Sequence, residues 1–290
     1  MSLMSIMFNL SASKSDKRRD AAIPLPQGIT EFRDISYGSF GTWNHLDVCY
    51  PEGTDAPLPT IVNVHGGGYV YGNKEIYRRY CMDMARRGFA CVNFNYRLAP
   101  RWKFPTPLYE INAVMEWICR NAQRYHLDPS RIIVVGDSAG AQLTSQYAAI
   151  ATNPQYAATF PIQVPSITIR AIGLNCGMYD MKAQASEKRS GIHLDYLGRK
   201  LSGEDPRLAV LENITAQYPP AYITTACNDF LRACAEPMYL FLRQKGIDAD
   251  WKCYGTEENK TVAHVFHVNI ILPEAIECND DAAAFFRKYL

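Results

Sequence analysis

Short apolar, β-branched runs alternate along this chain with stretches in which apolar side chains recur every three or four positions. The first two runs, 31–40 and 45–50, flank a turn at Gly41 and predict an opening antiparallel strand pair. After a loop over 51–59, Thr60-Ile-Val-Asn-Val64 predicts a short strand that runs straight into His65-Gly66-Gly67-Gly68. From there the pattern switches between the two periods. A helix over 76–87 stops at Gly88 and is followed by a strand over 89–96. Leu108, Ile111, Met115 and Ile118 set a helix within 105–124, and Asp128-Pro129-Ser130 is a turn leading into a buried strand over 131–137. A helix over 139–152 and a strand over 167–175 come next. Residues 178–220 break the alternation with mixed polarity and weak period, and read as an inserted small lid. The pattern then resumes with a strand at 221–226, a helix at 232–245, a strand at 250–254 and a last helix at 273–289. The implied architecture is α/β: a mainly parallel, mixed sheet of about eight strands with helices on both faces, in one domain over 31–290. Residues 1–30 carry no strong period and are punctuated by Pro24, Pro26 and Gly28, so they read as a lead-in segment and possible lid piece.

Composition narrows this picture. Thirty Lys+Arg against 29 Asp+Glu give a net charge of +1, which offers no field toward nucleic acid or an anionic membrane. The short basic cluster Lys17, Arg18, Arg19 is flanked by acids and reads as a solvated surface. Nine cysteines, odd in number and without a C-x-x-C pair, predict reduced thiols and a cytoplasmic setting rather than a disulfide framework. The apolar N-terminus lacks the basic leader of a signal peptide, and no run has the ~18 apolar residues of a membrane span.

Candidate chemistry gathers at Gly136-Asp137-Ser138-Ala139-Gly140, where a β-branched strand turns abruptly into a helix around one serine. This G-x-S-x-G spacing matches a nucleophile elbow, with glycines where side chains would collide across the turn. A serine hydroxyl is a poor nucleophile at neutral pH, so it needs a histidine base, and the imidazole needs a carboxylate to hold its tautomer. Asp229, just after the strand at 221–226, is the expected acid on the order serine, acid, histidine; Asp180, one strand earlier, is the rival, and Asp137 reads as a loop anchor. His264 and His267 are both candidates for the base. Their i, i+3 spacing lacks a third ligand at a motif distance, so no metal site is predicted. His45, His126 and His193 are isolated. The His65-Gly-Gly-Gly68 turn, directly after a strand, reads as a source of backbone N–H donors for a developing oxyanion, together with the N–H of Ala139 at a helix N-terminus.

These tracts, with Tyr69-Val-Tyr-Gly72, Asn95-Tyr-Arg-Leu-Ala-Pro100 and His264-Val-Phe266, resemble the hormone-sensitive-lipase-like branch of the α/β-hydrolases over about residues 45–290. The resemblance implies the α/β-hydrolase fold, Ser138, Asp229 and His264 as the catalytic residues, and Gly67, Gly68 and Ala139 as oxyanion donors. The family shows His-Gly-Phe at the last motif; Val265 departs from it and keeps His267 in play. The implied activity is carboxylesterase-type hydrolysis of small, short-acyl esters with no cofactor, and the expected partner is a small-molecule ester. An amidase or formamidase would use the same machinery. A non-catalytic ligand receptor on this fold is the reading from a different class, and such proteins usually lose a triad member. Tyr69, Tyr71 and Tyr179 are candidate pocket residues. A homo-oligomer is left open.

Overall fold

A computed structural model describes residues 1–186 and 191–290. Positions 187–190 of the predicted insertion lie outside the described residues. The chain begins with a helix, α1 (Leu3–Ala22), where the sequence pattern suggested a lead-in without a period. Its N-terminus is capped by the Ser2 hydroxyl, which accepts from Ser5 N–H, and its inner face lies on the site described below. The opening strands β1 (Ile29–Ser36) and β2 (His45–Pro51) pair antiparallel, as predicted. β1 ends before 40 because Tyr37 N–H turns to Asn44 C=O, with a 3-10 turn over Gly41–Asn44 between the strands.

The alternating core follows: β3 (Leu58–Val64), α2 (Lys74–Arg86), β4 (Ala90–Phe94), α3 (Thr106–Asn121), β5 (Leu127–Asp137), α4 (Ala139–Thr152), α5 (Pro154–Ala157) and β6 (Ile169–Asn175). α2 starts at Lys74, two residues ahead of the predicted start, after the Asn73 side chain that caps Ile76 N–H. The expected turn at Asp128-Pro129-Ser130 is instead inside β5. Its Asp128 carboxylate accepts from Ser130 N–H as a turn would, yet Leu127 and Asp128 still pair with Leu58 and Pro59 across a local irregularity.

The described residues of the predicted insertion form α6 (Met181–Ser186), α7 (Gly191–Leu197) and two 3-10 turns, and are more helical than their period suggested. Then come β7 (Ala221–Ala226), α8 (Ala235–Gln244), β8 (Ala249–Tyr254) and α9 (Pro273–Arg287). Among the described residues the sheet has eight strands in the order β1-β2-β4-β3-β5-β6-β7-β8, parallel from β4 to β8. The parallel strands at its centre are buried on both faces; Ile132, Ile133 and Val134 of β5 are fully buried. One core layer packs α3 and α4 on one face of the sheet, and a second packs α2 and α9 on the other. The carboxyl ends of β3, β5, β7 and β8 therefore open on one edge, where a site in an open α/β sheet is built.

Candidate active site

Ser138 links β5 to α4 with φ 52° and ψ −119°, outside the conformations an L-residue favours. The turn is that tight because two glycines allow it. A Cβ on Gly136 would collide with the Gly140 carbonyl oxygen, and one on Gly140 would strike the Val64 and His65 carbonyl oxygens at the end of β3. Ser138 N–H is tied to Asn175 C=O at 2.9 Å, which fixes the corner against β6.

Asp137, beside the serine, anchors the neighbouring glycine turn. Its carboxylate accepts from Tyr77 OH at 2.9 Å and from Gly66 N–H at 3.2 Å. Burial pushes this carboxyl up to about 7, against the pull of Tyr77, His264 and Gly66. In the turn itself, the buried His65 ring stacks on Tyr96 at 4.0 Å and lies 2.8 Å from Gly66 C=O through Nδ1. Burial drives its pKa down to about 4, so it is a neutral structural imidazole. Gly67 at φ 113° and Gly72 at φ 101° make the reversal, and a Cβ on Gly67 would meet Tyr71 C=O. Gly66 N–H is consumed by Tyr77 and Asp137. Among the described residues no hydrogen bond engages the N–H of Gly67 or Gly68. Ala139 N–H is one of the unpaired donors at the N-terminus of α4.

His264 Nδ1 lies 2.7 Å from Asp229 Oδ1. Asp229 sits in a tight turn three residues past β7, with its side chain fully buried. It also accepts from Leu231 N–H at 2.9 Å and Thr225 OH at 2.9 Å. Burial alone would raise its carboxyl, but His264 and these donors outweigh burial and hold it below its ordinary 3.8. Asp180, the rival acid, is exposed and caps Ala183 N–H in α6, so it is removed from the pair. His267 is likewise apart from it. The residue is 2 % exposed, its ring meets Tyr80 edge-on at 5.1 Å, and burial pushes its pKa down to about 3.

The loop that delivers His264 is held by a residue whose sequence context gave it no role. Asn228 Nδ2 donates to Thr256 C=O at 2.8 Å and Asn259 C=O at 3.0 Å, its Oδ1 accepts from Lys260, and its backbone bridges to Ala263. Val265 takes φ 61° and ψ 31°, a left-handed conformation that strains a β-branched side chain. The glycine of the resembled His-Gly-Phe motif suits this position. The buried Cys176 thiol accepts Val265 N–H at 3.4 Å. Cys176, Asp229 and His264 offer ligating atoms within 4.8 Å of one another, but the His264 and Asp229 atoms are already bonded together, and a cation would have to break that contact.

Ser138 and His264 line one cavity of about 380 Å³ with Gly66, Gly67 and Asp137. Its opposite wall is α1, through Phe8, Ala12, Asp16 and Arg19, with Val265, Phe266 and Asn269 beyond the histidine. Of the three tyrosines expected in the pocket, Tyr71 lines it and donates to Asp16 at 2.9 Å. The other two are corrections. Tyr69 is buried, stacked on Tyr196 at 3.8 Å, and its OH donates to Gln142; Tyr179 is 4 % exposed in the core. The sequence reading took 1–30 as a possible lid piece but did not foresee that it is a helix, and it did not single out Asn269. The signal for α1 was its Ser2 cap, hidden in a segment that lacks a clear apolar stripe.

An alpha/beta hydrolase fold model matches residues 61–268. A probable carboxylic ester hydrolase, LipM of Mycobacterium tuberculosis, is 28% identical over 210 residues, covering 68% of this chain and 48% of its own. Ethyl acetate hydrolase of Pseudomonas putida is 35% identical over 86 residues, 29% of this chain and 27% of that one. The chain thus spans half or less of the length of these relatives. Among solved structures, esterase B from Lactobacillus rhamnosis superposes with a TM-score of 0.86 at 24% identity, covering 99% of this chain and 97% of that one. A fungal esterase from Rhizomucor miehei gives 0.75 at 26% identity, covering 97% and 90%.

Proposed function

Since the chain belongs to the alpha/beta hydrolase fold family, in the hormone-sensitive-lipase-like branch its motifs resemble, we propose that it is a serine esterase acting on small, short-acyl carboxylic esters. The observation that carries this reading is His264, which sits 2.7 Å from the buried Asp229 carboxylate and lines the same cavity as Ser138. With Nδ1 donating to Asp229, His264 keeps Nε2 free as a base. Ser138 Oγ attacks the ester carbonyl carbon and gives its proton to Nε2. The carbonyl oxygen becomes an oxyanion received by the N–H groups of Gly67, Gly68 and Ala139, each such donor contributing about 2.7–4 kcal/mol to the barrier reduction. The tetrahedral adduct expels the alcohol, which takes the proton back from His264. Water then attacks the acyl-Ser138 ester with His264 again as base, releasing the acid and restoring the serine.

A cavity of about 380 Å³ suits short acyl groups, and so does the likeness to ethyl acetate hydrolase. Nine free thiols fit a reducing compartment such as the cytoplasm. Among the described residues no helix is long and apolar enough to cross a membrane. The test compares purified protein and Ser138→Ala on p-nitrophenyl butyrate and on the matched anilide. The reading expects ester turnover well above anilide turnover, and its loss in the variant with the fold intact by circular dichroism. Equal turnover by the variant contradicts it.

A further inference from the structure

The cavity wall opposite the serine is more polar than a plain alkyl ester requires. Asn269 follows the 3-10 turn Phe266–Val268 just past His264, and its backbone is fixed by donation to Phe266 C=O at 3.0 Å and acceptance from Leu272 N–H at 2.9 Å. Asn269 lines the cavity, yet among the described residues no hydrogen bond uses its side-chain amide, and Oδ1 is buried without a partner. A buried amide oxygen without a donor carries a desolvation cost that a ligand hydroxyl would relieve.

On the same cavity α1 presents Asp16 and Arg19. Arg19 is not a vacant anion site: its guanidinium donates to Asp16 at 2.9 Å, Asp20 at 2.9 Å and Ile76 C=O at 3.1 Å. Asp16 accepts from Arg19 and, through its other oxygen, from Tyr71 OH, and each carboxylate oxygen retains a lone pair. This wall therefore offers acceptors, and a site built to bond a hydroxyl disfavours an analogue that lacks it.

We propose that Asn269, with Asp16 held by Arg19 and Tyr71, forms a polar subsite for a hydroxyl group on the ester substrate, so that the preferred substrates are hydroxylated esters rather than plain alkyl ones. This rests on the esterase reading above. The hydroxyl belongs either to the alcohol portion, as in a partial ester of a polyol, or to the acyl portion, as in a hydroxy acid ester.

Two substrate pairs, each exchanging OH for CH3, separate these sources: 2-hydroxyethyl butyrate against propyl butyrate, and ethyl 3-hydroxybutyrate against ethyl 3-methylbutyrate. The proposal expects kcat/KM to favour the hydroxylated member about tenfold in at least one pair, the scale of one net hydrogen bond. It expects that ratio to collapse toward 1 in Asn269→Leu, with Asn269→Ala as the second variant should leucine impair folding, and Ser138 to remain open to an organophosphonate in either. Turnover of both members at equal rates by the unmodified protein, or a ratio that survives in both Asn269 variants, overturns the subsite and leaves the esterase standing. Absence of turnover on all four esters with Ser138 unlabelled overturns the esterase reading and the subsite with it.

Discussion

At the scale of single residues, the decisive distinction is between two histidines three positions apart. His264 faces a buried carboxylate at 2.7 Å, whereas His267 faces Tyr80 with Nδ1 unpartnered. Steady-state kinetics on p-nitrophenyl butyrate should therefore show kcat falling by about 10⁴-fold or more for His264→Ala. His267→Phe should retain most of the turnover while changing thermal stability; equal losses in the two variants would remove the distinction. The sequence alone left both in play because spacing does not say which way a ring turns; the family resemblance favoured His264. Val265 makes a second residue-scale case. Its left-handed backbone costs on the order of 1–2 kcal/mol relative to glycine, set against the packing of its side chain on the core layer of α2 and α9. Val265→Gly should raise the melting temperature or leave it level, and a drop of several degrees would show that packing, not backbone strain, dominates there.

At the scale of elements, β5, the elbow and α4 were legible because each requirement is local: a β-branched run, two glycines and a helix-forming run share one stretch of chain. A Cβ at Gly140 would have to enter the carbonyl oxygens of β3, so Gly140→Ala should cost several kcal/mol in a urea titration and abolish turnover by displacing Ser138. The elements that were not legible depend on remote partners. α1 is stabilised by what it lies against: Ser2 N–H and Ser5 OH both donate to Asp195 of α7 at 2.7 Å, 190 or more residues away. Nothing within 1–30 announces that partner. The same holds for Asn228, whose amide could not serve as the acid but ties the loop over 255–263 to the turn carrying Asp229. Asn228→Ala should lower kcat by roughly tenfold to a hundredfold through a less well-placed His264, with p-nitrophenyl butyrate KM little altered. A change confined to KM would place its effect on binding instead.

At the scale of the whole molecule, the sheet order puts a serine, an acid and a histidine from three strand ends on one edge, and α1 lines the cavity that the serine and the histidine share. The alternation of strand and helix made the sheet predictable. Residues 1–30 read only as a possible lid piece; that they form a helix against the site was not legible, since its partner Asp195 lies far along the sequence. Global stability should carry the mark of one buried carboxyl. Asp137 has a folded-state pKa raised to about 7 by burial, so the native state holds its proton more tightly than the unfolded chain does. Stability is then lost as pH rises from about 3.8 toward 7, and levels off above. Relative to Asp137→Asn, the unmodified protein should therefore lose melting temperature across that window. A constant difference from pH 4 to 8 would mean the carboxyl is ionised throughout. The most direct test of the central claim is covalent. Incubation with a short-chain alkyl p-nitrophenyl phosphonate, followed by peptide mass spectrometry, should place one phosphonyl group on Ser138 with release of one equivalent of p-nitrophenol. Ser138→Ala should take up none. Labelling at another residue, or none under conditions where the fold is intact, would contradict the account.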